Sequence, residues 1–260
     1  MLVRLIAMGR RLGRGVWVIL AVLATASLTV PVSAGEAKVA VAANFAEPVK
    51  EIGVLFERTT GHKLVLSFGA TGQFYAQITQ GAPFEVLLSA DKAVPAQAVA
   101  DGFGVAGTTF TYAVGRLVLF SQTKGLVDGE ATLKDGKFAK IAIANPAVAP
   151  YGAAAVEVLK ALGAYDALLP KIVQGNTIAQ AFQFVATGNA DVGFIALSQV
   201  VLNVEGSRWI VPATLHSPIA QDAVLLKTGA GNDAANAFLS FLRGAEARVI
   251  IEKFGYGIGG

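Results

Sequence analysis

Four short segments of the sequence consist mainly of small residues and of residues with a hydroxyl, amide or phenol group. Each segment directly precedes an apolar run with helical spacing. They span residues 43–44, 69–72, 145–152 and 175–178, and none of them contains Lys, Arg, His, Asp or Glu. The first turn of a helix leaves main-chain N–H groups without partners and carries a partial positive charge of roughly one half. Junctions of this kind can bind a small anion without a fixed cation.

Each junction also has a purely structural interpretation, because Asn, Thr and Gly often precede helices as caps and turns. Asn44 and Glu47 have the spacing of a capping box. Tyr151 stands among small residues that leave its ring accessible, which favours binding over packing. Four junctions together would offset about two negative charges. They offer no carboxylate acceptor, which favours a fully ionised dianion, sulfate or molybdate, over a proton-bearing phosphate.

The junctions must be positioned by strands and helices that alternate along the chain. Short apolar runs predict strands at 38–43, 63–68, 84–89, 117–121, 140–144, 192–196, 209–211 and 223–226. Helical patterns lie at 48–60, 73–80, 153–162, 178–187 and 232–243, so the class is α/β. Two places where the chain can cross, before residue 116 and over 216–222, predict two lobes with the ligand between them.

The first 34 residues have the features of a secretory signal peptide. Four arginines precede an apolar stretch over 16–30, and small residues before Gly35 suit signal peptidase. We expect cleavage near Ala34 and export to the periplasm, with an uncleaved anchor as the weaker alternative and the export route, general or twin-arginine, left open. The mature chain would form a first lobe over 35–115, a second lobe over 116–221 and a return segment to the first lobe over 222–260.

Removal of the leader changes the charge balance. It carries four of the 21 basic residues and none of the 18 acidic ones, which leaves 17 against 18 in the mature chain. A nearly neutral protein without a run of basic residues does not attract nucleic acid or an anionic membrane surface, so we exclude both as main partners. The sequence has no cysteine and only two histidines, His62 and His216, which excludes a thiolate nucleophile and disfavours a zinc site.

Six segments carry a resemblance that runs in order through the mature chain. They are 41–45 (VAANF), 67–72 (SFGATG), 81–86 (GAPFEV) with 89–91 (SAD), 145–152 (NPAVAPYG), 188–193 (GNADVG) and 254–256 (FGY). With these segments the chain resembles the periplasmic molybdate-binding proteins of ABC importers. The resemblance implies a two-lobed periplasmic-binding-protein-like type II fold with two crossover strands and an interlobe cleft, which closes on one tetrahedral anion.

The resemblance also implies the binding residues. It maps the ligand positions onto Asn44, Thr71, Tyr151 and the main chain of Ile178, which would reach the metal only through the oxygens of molybdate. Some members supply a phenol at the position of Ala196, and we expect Tyr151 to provide it here. Molybdate or tungstate would be the ligand and a membrane permease the partner. The protein would be a monomer that is not an enzyme, with no cofactor and no catalytic residue.

Other functions stay open at this point. A periplasmic hydrolase would draw its nucleophile and base from Ser67, Ser89 or Ser198 and from His62 or His216. No Gly-x-Ser-x-Gly motif occurs, and we expect both histidines at the surface. A protein that binds an organic anion would need an arginine clamp, and Arg116 and Arg208 lie outside the junctions. A sulfate-binding protein or an anion sensor would share the site itself.

Overall fold

Two five-stranded sheets form the frame of the protein. The computed structural model describes residues 34–202 and 205–258, so the predicted signal peptide lies outside the described residues except for Ala34. The strands are β1 (Glu36–Ala42), β2 (Lys63–Gly69), β3 (Val86–Leu88), β4 (Phe110–Gly115), β5 (Leu117–Ser121), β6 (Ile141–Ala144), β7 (Ile172–Gly175), β8 (Val192–Ala196), β9 (Ser207–Ile210) and β10 (Ile219–Leu225).

Helices connect most of these strands. They are α1 (Ala46–Thr60), α2 (Thr71–Thr79), α3 (Ala93–Ala100), α4 (Ala131–Asp135), α5 (Pro150–Ala161), α6 (Tyr165–Leu168), α7 (Ile178–Ala186), α8 (Asp233–Leu242) and α9 (Ala245–Lys253). Short 3-10 helices at Ala43–Phe45 and Leu197–Gln199 follow β1 and β8. Within the described ranges, no helix is both long and apolar enough to cross a membrane.

The first lobe is built on the sheet with the order β2-β1-β3-β10-β4. Strands β1, β2 and β3 are parallel, whereas β10 runs antiparallel to β3 and β4. Alternate residues of β1, β3 and β10 enter two different apolar clusters, one with α1, α8 and α9 and one with α2. Both faces of the sheet are therefore covered. Because side chains on both faces are buried, the sequences of these strands are continuous apolar runs.

The second lobe is built on the sheet with the order β7-β6-β8-β5-β9. Strands β6, β7 and β8 are parallel and β5 is antiparallel to both of its neighbours. Helices α5 and α7 bury their apolar faces in one cluster with these strands. In both lobes the carboxyl ends of parallel strands lead directly into helices, so the helix starts gather at the edges of the sheets that face the cleft.

The predicted two-lobed α/β fold is confirmed, with the chain passing between the sheets at Arg116 and again between Ile210 and Ile219. The lobe boundaries stay a prediction, and β10 already begins three residues before the expected return segment at 222. Two strands were not predicted, β4 and the short β7. Strand β4 matters most for the site, because it leads into the first crossing.

Candidate functional site

The four predicted junctions line one cavity between the lobes. The cavity is small: the space between its lining atoms, including the part that is open to solvent, is about 210 Å³. Its lining is free of charged side chains and consists of Ala42, Ala43, Asn44, Gly69, Ala70, Thr71, Ala90, Ala149, Pro150, Tyr151 and Ile178. Asn44, Thr71, Tyr151 and Ile178 are thus brought together, although up to 134 positions separate them in the sequence.

Main-chain N–H groups give this cavity its electrostatic character. Thr71 and Ile178 are the first residues of α2 and α7, and Tyr151 is the second residue of α5. N–H groups at these positions have no acceptor within their own helix. Three helix starts from two lobes therefore make a positive cavity without any ionised side chain.

Thr71 is buried and its hydroxyl is oriented by the neighbouring loop. The Ala90 main-chain N–H donates to Thr71 Oγ1 at 3.0 Å. Since the oxygen already accepts this bond, the hydroxyl hydrogen is the group that Thr71 can give to a ligand. Gly72 follows, and its N–H donates to the Val148 carbonyl at 3.0 Å, which joins the two lobes beside the cavity.

Tyr151 is almost fully buried, and its hydroxyl lies against the first crossing. Gln221 Nε2 donates to Tyr151 Oη at 3.1 Å. A Cβ at Gly115 would stand 2.1 Å from Oη, so only glycine leaves room for the phenol at that point of β4. Burial raises the pKa of the Tyr151 phenol well above its usual range, and the nearby Tyr256 and Tyr112 phenols raise it further. The phenol is therefore a neutral hydroxyl at physiological pH.

Ile178 lies in the lining of the cavity at the first position of α7, and this helix is capped by a side chain. The Thr177 hydroxyl accepts from the Gln180 N–H at 3.1 Å. Gln199 Nε2 donates to the Ile178 carbonyl at 3.2 Å and ties the first turn of α7 to the segment after β8. These bonds fix the direction of the Ile178 N–H, while its apolar side chain is buried.

The capping-box interpretation of Asn44 and Glu47 is wrong. Phe45 occupies the N-cap position of α1, and no side chain caps that helix. The Asn44 carboxamide instead donates to Gln221 Oε1 at 2.8 Å and to Tyr256 Oη at 3.0 Å. Because both hydrogens of Nδ2 have partners, the main-chain N–H is the donor that Asn44 offers to a ligand.

Behind the cavity lies a buried network that sequence reasoning missed, formed by Asn44, Tyr112, Ser198, Gln221 and Tyr256. The single Tyr112 hydroxyl hydrogen is shared between the Ser89 carbonyl at 2.9 Å and Gln221 Oε1 at 3.1 Å. The Ser198 hydroxyl donates to the Asn44 carbonyl at 2.8 Å. Burial raises the pKa of Tyr256 to about 12, so this phenol also stays protonated. Tyr256 stands in the closing segment 254–256, and Gln221 lies in β10, within the stretch 216–222 that was predicted as a crossing.

The residues of the hydrolase alternative do not assemble into a catalytic site. Ser198 bonds to the Asn44 carbonyl, whereas His62 and His216 lie outside the lining of the cavity. His62 was expected at the surface and is in fact buried, because its ring stacks on Phe56 and Nδ1 accepts from the N–H of Gly35 at 3.0 Å.

The arginines considered for an organic-anion clamp stay outside the cavity lining as well. Arg116 is exposed at the first crossing, and Arg208 Nη1 donates to the Val200 carbonyl at 2.6 Å. In the described ranges, no group of three or more His, Asp or Glu side chains is arranged to hold a metal ion. The site can therefore offer neutral hydrogen-bond donors to a small anion.

Comparison with known proteins gives consistent matches over nearly all of the described chain. Residues 37–257 match the family of bacterial extracellular solute-binding proteins. The molybdate-binding protein ModA of Rhodobacter capsulatus is 56% identical over 229 residues, which covers 88% of this chain and 91% of that protein.

Solved structures match the fold. The Azotobacter vinelandii periplasmic molybdate-binding protein superposes with a TM-score of 0.84 at 40% identity, over 86% of this chain and 100% of that one. A substrate-binding domain assigned to a molybdenum ABC transporter of Clostridium difficile gives a TM-score of 0.67 at 30% identity, over 87% and 100%.

Proposed function

This chain belongs to the bacterial extracellular solute-binding protein family, and we propose that it is the periplasmic binding component of a molybdate ABC import system. It captures molybdate, and also tungstate, and delivers the anion to a membrane permease. It acts as a monomer without enzymatic activity and requires no resident cofactor. A leader directs its export to the periplasm and is removed near Ala34.

The single observation that carries this proposal is the composition of the cavity. Asn44, Thr71, Tyr151 and Ile178 line one small space that has no charged side chain. We assign the binding of the anion to the main-chain N–H groups of Asn44 and Ile178 and to the hydroxyls of Thr71 and Tyr151. These donors can replace the water shell of a dianion while the helix starts offset its charge.

The same chemistry favours some anions over others. A fully ionised oxyanion presents only acceptors, which matches a lining made of donors, whereas hydrogen phosphate carries a proton that needs an acceptor. Sulfate is also fully ionised but is smaller than molybdate. Donors fixed at the spacing of the larger anion leave sulfate with stretched hydrogen bonds, which weaken as the distance grows. Tungstate has nearly the radius of molybdate and binds alongside it.

Isothermal titration calorimetry of the mature chain with molybdate, tungstate, sulfate and phosphate tests the proposal. We expect one-to-one binding of molybdate and tungstate, weaker binding of sulfate and no heat from phosphate. Thermal melts give a second readout, because a ligand present at a hundred times its Kd stabilises the folded state by about 2.7 kcal/mol.

The outcomes separate the candidate functions. Tighter binding of sulfate than of molybdate would replace the proposal with a sulfate-binding protein. Absence of both heat and a melting shift with molybdate and tungstate would remove the proposal altogether.

A further inference from the structure

A chain of hydrogen bonds connects the Asn44 carbonyl, behind the cavity, with the Tyr151 hydroxyl in its lining. Tyr256 Oη donates to the Asn44 carbonyl oxygen at 2.7 Å. Asn44 Nδ2 donates to Tyr256 Oη at 3.0 Å and to Gln221 Oε1 at 2.8 Å. Gln221 Nε2 then donates to Tyr151 Oη at 3.1 Å. Gln221 and Asn44 are both buried, so water does not compete for these bonds.

The direction of each bond in this chain follows from the one before it. A carbonyl oxygen can only accept, so the Tyr256 hydroxyl gives its hydrogen to Asn44 and its oxygen accepts from Asn44 Nδ2. The second hydrogen of Asn44 Nδ2 needs an acceptor, so the Gln221 amide is oriented with Oε1 toward Asn44. Nε2 then faces Tyr151. An amide turned the other way would bring two donors together at Asn44, and the second hydrogen of Asn44 Nδ2 would lose its acceptor.

We infer that Gln221 is a positioning residue that sets the selectivity of the site, because it makes the Tyr151 hydroxyl a donor to the bound oxyanion. This inference rests on the proposed function. Tyr151 Oη already accepts from Gln221, so its hydrogen is the part of the hydroxyl left for a ligand. The Tyr256 hydroxyl is an alternative neutral acceptor for that hydrogen. A dianion is the stronger acceptor and captures it on binding.

The arrangement also accounts for a preference between oxyanions. If the Gln221 amide were reversed, Oε1 would take the Tyr151 hydrogen, and the phenol oxygen would face the ligand as an acceptor. Such a site would suit an oxyanion that carries a proton. The observed direction suits one that carries none, so a residue that need not touch the ligand determines which protonation state is bound.

A double-mutant cycle between Gln221 and Tyr151 tests the inference by calorimetry with molybdate. Gln221→Met keeps the length of the side chain but removes both polar atoms. We expect Tyr151→Phe to weaken binding by about 10- to 100-fold, since it removes one bond to a charged ligand. Gln221→Met should weaken binding by no more than this, because it only stops holding the Tyr151 hydroxyl as a donor. The double variant should bind no more weakly than Tyr151→Phe alone, because Gln221 acts through the Tyr151 hydroxyl.

Gln221→Glu adds a pH dependence of molybdate affinity, which would not appear if Gln221 had a purely structural role. Its carboxylate accepts from the Tyr151 hydroxyl and turns that hydrogen away from the anion. Molybdate affinity of this variant should rise as the pH falls from 8 to 5.5 and the introduced carboxyl becomes protonated. Wild-type affinity should stay constant over the same range, and Tyr151→Phe should reduce the pH dependence of the Glu variant.

Tyr112→Phe is the matched control, since it removes a hydroxyl that bonds to the Ser89 carbonyl at 2.9 Å and to Gln221 Oε1 at 3.1 Å but leaves the bond between Gln221 and Tyr151. It should lower the melting temperature and leave molybdate affinity within about twofold of wild type.

Additive losses in the cycle, an equal loss in Tyr112→Phe, or wild-type affinity in Gln221→Met would each overturn the inference while molybdate binding by the wild type stands. Failure of the wild-type protein to bind molybdate or tungstate would instead remove the proposed function and this inference with it. Thermal melts of every variant identify any that fail to fold, and Gln221→Glu then replaces Gln221→Met in the cycle at pH 8.

Discussion

Tyr151 and Thr71 each present a hydroxyl whose oxygen is already engaged by the protein. Gln221 Nε2 donates to the phenol and the Ala90 N–H donates to the threonine. Each hydroxyl therefore offers its hydrogen to the cavity. The bonds to a charged ligand are stronger than bonds between neutral groups, so single side-chain changes at these two residues should have measurable effects.

Tyr151→Phe removes the phenol hydroxyl while it keeps the buried ring. We expect molybdate binding to weaken by about 1.5–3 kcal/mol, the value of a hydrogen bond to a charged group. Calorimetry measures the loss directly. Tyr165→Phe is the control, because Tyr165 lies on α6 and outside the lining of the cavity. An unchanged affinity in Tyr151→Phe would place the phenol outside the binding site.

Thr71→Val removes the other hydroxyl with little change in shape. It should weaken molybdate binding by about 1.5–3 kcal/mol and also destabilise the free protein by about 1–3 kcal/mol, because the buried Ala90 N–H loses its acceptor. Thr71→Ser retains the hydroxyl and should bind close to wild type. Equal affinities of the Val and Ser variants in calorimetry would contradict a role for this hydroxyl.

At the scale of elements, two glycines inside helices illustrate opposite constraints. Gly53 lies in α1, where an added Cβ would stand 3.6 Å from Leu64 Cδ1, an ordinary contact. Gly152 lies in the first turn of α5, where a Cβ would stand 2.2 Å from the Ala144 carbonyl oxygen. The first glycine weakens its helix without a steric need, whereas the second lets α5 start directly against the end of β6.

Gly53→Ala should therefore stabilise the protein by about 0.5–1 kcal/mol, the difference in helix propensity between the two residues. The melting temperature should rise by about 1–4 °C for a chain of this size, with unchanged molybdate affinity. Gly152→Ala is the matched comparison and should lower both stability and affinity, since it displaces the start of the helix that carries Tyr151. Melts and calorimetry that gave both variants the same sign would refute this assignment.

At the scale of the whole molecule, the site exists only where the two lobes meet. The Gly72 N–H bonds to the Val148 carbonyl across the cleft at 3.0 Å, and Ser198 Oγ bonds to the Asn44 carbonyl at 2.8 Å. A Cβ at Gly72 would lie 3.1 Å from Val148 Cα, which is closer than ordinary van der Waals contact. Glycine at this position lets the lobes approach each other beside the ligand.

Gly72→Ala should hinder this approach and weaken molybdate binding by about 1 kcal/mol or more, roughly fivefold or more. Small-angle scattering should show a smaller decrease in the radius of gyration on addition of molybdate than wild type shows. Gly231→Ala is the control, because a Cβ there would meet no atom within 4 Å. Identical scattering and affinity in wild type and Gly72→Ala would mean that this contact does not limit closure.

Much of the fold could be predicted because its signals are local. Buried strands read as apolar runs, and the starts of α2, α5 and α7 are marked by small and polar residues within a few positions. Strand β7 escaped prediction because it has only four residues, two of which are Gln and Gly. The lobe assignment of each strand follows from pairing between distant segments, which the sequence does not display.

For the site, the sequence by itself determined which helix starts are preceded by small and polar residues and that these segments carry no charge. Only the tertiary structure decided what each side chain does there. Asn44 matches a helix cap by spacing, yet its partners Gln221 and Tyr256 lie 177 and 212 positions away. The partners in a buried hydrogen-bond network depend on which distant segments the folded chain brings together, so local spacing in the sequence cannot specify them.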